Sequence, residues 1–222
     1  MIALIDYRAG NLTSVKKALA AIGAEVFVPE APDDLGNAAG IIVPGVGHFG
    51  ATRALDQPWI DAILGRVGEG RPLFGICLGM QWLLEGSEEA PELPGLGLLS
   101  GRCYRLGTVR RAAGAGTEPP TPGTAAERLT PDRTIKVPHV GWNSIAIHRE
   151  ASIVDEVATG SQVYFTHSYV APVTGDTVAT SEHGETFAAV VQRAHISGVQ
   201  FHPEKSGDVG LRILRNFVEL AG

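Results

Sequence analysis

A cysteine framed by glycines is the most chemically pointed feature of this sequence. In Pro72-Leu73-Phe74-Gly75-Ile76-Cys77-Leu78-Gly79-Met80-Gln81 an apolar run leads into Cys77 and a helix-favouring run leads away. The spacing Gly-x-Cys-x-Gly has the form of a nucleophile elbow, with sulfur where the serine oxygen would stand. Glycines at 75 and 79 let strand and helix approach closely, and a helix starting near Leu78 favours thiolate, the nucleophilic form. The competing reading is a structural cysteine, because free Cys is among the most buried residue types.

A base and its orienter stand far away in the sequence. His202-Pro203-Glu204 follows the apolar run 196–200, and residues two apart in extended backbone point the same way. A carboxylate beside an imidazole fixes its tautomer and stabilises the imidazolium once a proton is taken. Cys77, His202 and Glu204 are thus the expected nucleophile, base and orienter, against a reading of His202 as a strand-end histidine and Glu204 as a solvated charge. Gly45-Val46-Gly47-His48-Phe49-Gly50 has the G-x-G-x-x-G form, yet a dinucleotide site is rejected. The run follows the third strand and not the first, Pro44 precedes it, and Ile76-Cys77 stands where an acidic residue should end the next strand. Its bare amides beside the elbow, together with the amide of Leu78, are instead expected to bind an oxyanion, the alternative being an ordinary glycine-rich turn. His48, His139, His148, His167, His183 and His195 lack metal-site spacing, so no metal is expected. His167 reads as a satisfied polar residue at a strand end, and Trp142 and Tyr164 as core aromatics.

These residues need elements to hold them. Apolar runs at 2–5, 25–28, 40–43 and 72–76 read as strands, and the 3.6-residue pattern predicts helices over 12–22, with Asn11 as N-cap, and around 59–67. That alternation argues for parallel βαβ units. Residues 29–37 read as loop. Shorter runs at 102–106, 142–147, 163–165, 177–180, 187–192 and 196–200 are expected to be strands of a mixed sheet, and 208–220 a final helix. Residues 107–133, rich in Gly and Pro, read as a flexible surface insertion with no chemistry.

Composition narrows the partners. The chain of 222 residues suits one α/β domain, 1–222, and a net charge of −6 without a basic block excludes a nucleic-acid role. Two cysteines make no disulfide framework, Met1 runs straight into an apolar strand without a basic leader, and no run has membrane-spanning length. A cytoplasmic protein is expected.

Five segments together resemble the class I glutamine amidotransferases: Ile5-Asp6-Tyr7 through Asn11-Leu12-Thr13-Ser14-Val15, Pro44 to Gly50, Gly75 to Gln81, Val137-Pro138-His139-Val140-Gly141-Trp142-Asn143, and Gln200-Phe201-His202-Pro203-Glu204-Lys205-Ser206. The resemblance implies a three-layer, flavodoxin-like α/β fold, a mixed and mostly parallel sheet with flanking helices. It implies a Cys-His-Glu triad that hydrolyses L-glutamine through a glutamyl thioester, with no cofactor. It also implies that Gln81 and Glu89 hold the substrate's α-amino end, that Ser168 and Tyr169 meet its carboxylate, and that Gly45, Val46 and Gly47 form the oxyanion strand. The nearest branch serves histidine biosynthesis, passing ammonia to a (β/α)8-barrel cyclase that makes imidazole glycerol phosphate and AICAR; Asn11, Trp142, Tyr164 and Lys205 match positions facing that barrel. Such a glutaminase is expected to idle until its partner's substrate is bound, a glycine loop turning an amide into the oxyanion site. The alternative branch is the glutaminase subunit of anthranilate or aminodeoxychorismate synthase. A cysteine peptidase and a catalytically silent binding module are more distant alternatives. Two departures stand out: Arg8 occupies a usual Gly position, and the insertion 107–133 is longer than the usual connection.

Overall fold

The structure, a computed structural model, describes residues 1–107 and 135–222. The expected insertion therefore lies outside the described residues, apart from Gly107 at its edge. The first half runs β1 (Ile2–Leu4), α1 (Leu12–Ala21), β2 (Val26–Phe27), β3 (Gly40–Val43), α2 (Gln57–Gly68), β4 (Leu73–Ile76) and α3 (Leu78–Leu83). The second runs β5 (Tyr104–Arg105), β6 (His139–Ser144), β7 (Ala146–Ile147), β8 (Gln162–His167), β9 (Tyr169–Val170), β10 (Thr177–Glu182), β11 (Thr186–Arg193), β12 (Ile196–Val199) and α4 (Gly207–Leu220).

Strands β1, β3 and β4 are buried at every position, as parallel strands covered on both faces must be. They sit in an eight-stranded sheet of order β2-β1-β3-β4-β12-β11-β10-β7, parallel from β2 to β12 and antiparallel beyond. Because successive side chains point to opposite faces, the same strands feed two cores. Ile2, Leu4, Ile42, Phe74 and Ile76 pack with Val15 and Leu19 of α1 and with Ile213, Leu214 and Phe217 of α4. Ala3, Ile41, Val43 and Leu73 pack with Ile63 and Val67 of α2 and with Leu78 and Met80 of α3. Helix, sheet, helix is the three-layer arrangement that follows. Burying each large apolar side chain contributes about 1.5–3 kcal/mol, and stacks such as Phe74 on Phe217, with centroids 5.3 Å apart, tie α4 to the sheet.

Two expectations need correcting. The runs 102–106 and 163–165, and the front of 142–147, do not join the main sheet: they form two separate ladders, β5 with β9 and β6 with β8. Alternating burial along β6 shows why, since only one of its faces is covered. Residues 29–37 are not all loop either. Pro32–Asn37 is a 3-10 helix, with Pro32 preset for a first turn and Asp34 accepting the N–H groups of Glu30 and Ala31. A second 3-10 helix, Phe49–Ala54, also went unread.

The pairing that matters for chemistry is central. β4 and β12 are parallel neighbours with Ile76 opposite Val199, and the Cys77 N–H bonds the Val199 carbonyl at 2.8 Å. Residues following these two strands therefore meet at the carboxyl edge of the sheet, where ligands of such folds bind.

Candidate active site

Cys77 has φ 52° and ψ −104°, a conformation that residues with side chains avoid. Close contact enforces it. A methyl group on Gly79 would collide with the carbonyl oxygen of Val43, and one on Gly75 would meet the backbone of Gly79 and Met80. The thiol ends beside the carbonyl of Thr166 at 4.0 Å, and the amide of Gln200 donates to it at 3.6 Å. Cys103, by contrast, is sealed in the core; burial, followed by the charge of Cys77, pushes its thiol up.

His202 follows β12, and its Nδ1 lies 2.8 Å from Oε1 of Glu204, with both side chains almost wholly enclosed. Burial opposes the imidazolium, but Cys77 and Glu204 more than offset it, so the His202 pKa is pushed up to about 9. With Nδ1 turned to Glu204, Nε2 is the nitrogen left for the sulfur. It has no other hydrogen-bond partner, and Cys77 is the largest influence raising the His202 pKa. The His202 N–H is held by the Tyr164 carbonyl at 2.9 Å, which ties His202 to β8.

Of the four expected oxyanion residues, Leu78 and Val46 have their amides closed off. The Leu78 N–H is donated to the Gly45 carbonyl at 3.3 Å and the Val46 N–H to the Ala9 carbonyl at 3.1 Å, so both amides are occupied. Gly47, with φ 106°, lines the cleft next to them.

That cleft, of about 280 Å³, is lined by Cys77, Leu78, Gln81, Glu89, Ser168 and Tyr169, with Gly47, Pro138, Thr166 and His167 completing it. Gln81 spends both Nε2 protons, on the Tyr169 carbonyl at 3.0 Å and on Oε1 of Gln200 at 3.1 Å, leaving its carbonyl oxygen to offer. Glu89 accepts the Phe49 N–H at 2.7 Å through one carboxylate oxygen. His167 is only half satisfied: Nε2 meets Nδ1 of His139 at 3.1 Å, whereas Nδ1 is enclosed without a partner. Among the described residues no group of three His, Cys, Asp or Glu side chains could hold a metal ion.

Gln200 and Ala9 escaped the sequence reading. The signal for Gln200 was present, because it stands two positions before His202 in one extended run and so faces the same side. Its side chain is fully buried and bridges Gln81 to the sulfur. Ala9 acts only through its carbonyl, which no residue type announces.

Trp142 and Tyr164 are not core aromatics. They oppose each other across the β6–β8 ladder with rings 6.0 Å apart, Trp142 is 57% exposed, and the Lys205 ammonium sits 5.8 Å above the Tyr164 ring. Val140, 58% exposed, extends this surface. Asn11 caps α1, its oxygen accepting the Ser14 N–H at 3.4 Å. Among the described residues no helix is long and apolar enough to cross a membrane.

The chain resembles known proteins along nearly its whole length. A family model described as glutamine amidotransferase class-I matches residues 3–220. The imidazole glycerol phosphate synthase subunit HisH of Halobacterium salinarum is 42% identical, covering 98% of this chain and 92% of that protein. The protein of the same name from Halalkalibacterium halodurans is 44% identical, covering 98% and 94%. Among solved structures, a glutamine amidotransferase superposes with a TM-score of 0.71 at 22% identity over 100% of both chains. PurLQS from Thermotoga maritima gives 0.67 at 16% identity over 98% and 97%; at such identities these two speak for the fold alone.

Proposed function

The chain belongs to the class I glutamine amidotransferase family, and on that footing we propose that it is the glutaminase subunit of an imidazole glycerol phosphate synthase. In this reading it is one amidotransferase domain over residues 1–222, hydrolysing L-glutamine to glutamate and ammonia for histidine biosynthesis. The observation that carries the reading is the meeting of Cys77, His202 and Glu204 at the ends of β4 and β12, beside a cleft lined by Gln81 and Glu89. The names of the two relatives above favour this branch over the anthranilate and aminodeoxychorismate one. Two free thiols suit a reducing cytoplasm.

The chemistry follows from the groups. The Cys77 thiol passes its proton to His202 Nε2 as its sulfur adds to the side-chain carbonyl carbon of glutamine, and the carbonyl oxygen gathers negative charge. The carbon–nitrogen bond breaks as His202 Nε2 gives its proton to the departing nitrogen, leaving ammonia and a glutamyl thioester. His202 then takes a proton from water, which attacks the thioester, releases glutamate and restores the thiol. Glu204 holds the ring and balances its charge. The free oxygens of Gln81 and Glu89 suit an α-ammonium, and Ser168 and Tyr169 are the partners for the α-carboxylate.

Ammonia set free in water at neutral pH becomes ammonium, which is not nucleophilic, so the product needs a sealed path. The face bearing Trp142, Tyr164, Lys205 and Val140, with Asn11 nearby in role, is the proposed seat of a (β/α)8-barrel cyclase; exposed aromatic side chains are typical anchors of such contacts. With both oxyanion amides occupied, the unpartnered chain is an idling glutaminase, and turning the Gly45–Val46 peptide switches it on.

Glutamine hydrolysis by the purified chain, alone and with the cyclase plus imidazole glycerol phosphate, tests this. Turnover alone should be slow and should rise by about 10²-fold or more in the complex, the usual worth of an oxyanion donor. Cys77→Ala should abolish glutamine-dependent cyclisation while the complex still uses added ammonia. Full-speed hydrolysis by the lone chain would sink the switch, and a complex unable to use glutamine would sink the assignment.

A further inference from the structure

Tyr7 carries an unused donor at the hinge of this switch. The residue is 5% exposed, and its hydroxyl is enclosed without a hydrogen-bond partner. Such a group costs stability and calls for an explanation. The hydroxyl rests against the Cα of Gly45: a methyl group there would collide with the Tyr7 oxygen and come 2.8 Å from Cβ of Leu78. Burial, followed by the charge of Cys77, pushes the phenol pKa up, so the hydroxyl keeps its proton and remains a donor.

One peptide unit makes both blocking bonds, because the Gly45 carbonyl receives Leu78 and the adjoining Val46 N–H binds Ala9. In a planar trans peptide the C=O and N–H point in opposite directions. A half-turn of that unit therefore aims the Val46 amide toward the oxyanion position and swings the Gly45 carbonyl toward the carbonyl of Ala9. Two carbonyl oxygens repel, and the displaced one is left without a donor in a buried place. We propose that the Tyr7 hydroxyl is the donor that receives the Gly45 carbonyl when the oxyanion loop turns, which makes Tyr7 a positioning residue for the active state. This rests on the glutaminase reading above. The hydroxyl is unsatisfied in the resting arrangement and satisfied in the turned one, so it biases a two-state element toward activity.

The test is Tyr7→Phe in the complex with the cyclase and imidazole glycerol phosphate. The stimulated kcat for glutamine should fall about tenfold or more, equivalent to about 1.4 kcal/mol, a loss within reach of one hydrogen bond. The KM for glutamine should stay within about twofold, since the bond is made by the loop and not by the substrate. The melting temperature should not drop, because the hydroxyl lost had no partner at rest. A stimulated kcat equal to that of the unaltered complex overturns the proposal, and so does a fall in kcat accompanied by a lower melting temperature. Should the unaltered complex itself fail to hydrolyse glutamine, the functional reading falls and the Tyr7 proposal with it; an active unaltered complex and an equally active Tyr7→Phe complex remove Tyr7 alone.

Discussion

Glu204 has one carboxylate oxygen on His202 and the other enclosed without a partner, so its charge is directed at the imidazole. Glu204→Gln should therefore lower glutamine turnover in the complex by about 10²–10⁴-fold, as loss of the orienting carboxylate does in other triads. The same substitution should change the alkaline limb of stability. The folded pKa of His202, about 9, lies above its ordinary value, so its contribution is full below about 6.5 and is lost as pH rises toward 9. In Glu204→Gln that loss should shrink, which urea unfolding at pH 7 and pH 9.5 would measure. At this scale the sequence was most legible where chemistry is local. The two glycines around Cys77 and the His-x-Glu pair are each readable within five residues, because sterics and strand geometry act over that distance. Gln200 was harder, since its role depends on Gln81 and Cys77, and it stands 123 positions from the sulfur.

Among the elements, the turn between β1 and α1 holds a testable strain. Arg8 has φ 62°, the left-handed region that glycine enters freely, and is held there by its N–H bonding Asp6 Oδ1 at 2.9 Å. The turn thus keeps a glycine-like shape without the glycine. Arg8→Gly should raise unfolding free energy by about 1 kcal/mol, read from urea titration, and a neutral or destabilising result would show that Arg8 gains an offsetting contact. Gly79→Ala should do the opposite and more, costing about 3 kcal/mol or greater, since its methyl group would collide with the backbone of β3. Elements buried on both faces were legible as continuous apolar runs, which is why β1, β3 and β4 were read in place. Strands β5, β8 and part of β6 were read as strands but assigned to the wrong sheet, and β9 was not read at all. Half-buried alternation tells that a strand has a dry face, not which neighbour dries it.

For the molecule as a whole, the buried histidines set an acid limit. Burial, then neighbouring histidine charge, lowers His139 to about 4 and His167 to about 3. Both fold as neutral rings, so the unfolded chain takes up their protons first as pH falls below about 6.5, and stability declines from there toward pH 4. Unfolding at pH 7 and pH 4.5 should differ by about 2–4 kcal/mol, with His167→Gln narrowing the gap. These rings lie within the ladder that gives Thr166 and His167 to the cleft and Trp142 and Tyr164 to the outer surface. Whole-molecule architecture was legible as helix and strand alternation, while the bonded state of the Gly45–Val46 peptide was not, because a peptide's orientation leaves no mark on residue identity.

The neighbouring of β4 and β12 has a further consequence for how the protein is made. A nascent chain presents Cys77 long before its strand partner exists, and at about 5–20 residues per second the ribosome needs roughly ten seconds more to reach His202. During that interval the thiol has no base, and β4 has an open edge where β12 will insert. On the proposed roles of Cys77 and His202, the sulfur is armed only as the sheet closes, so newly made polypeptide should release no ammonia.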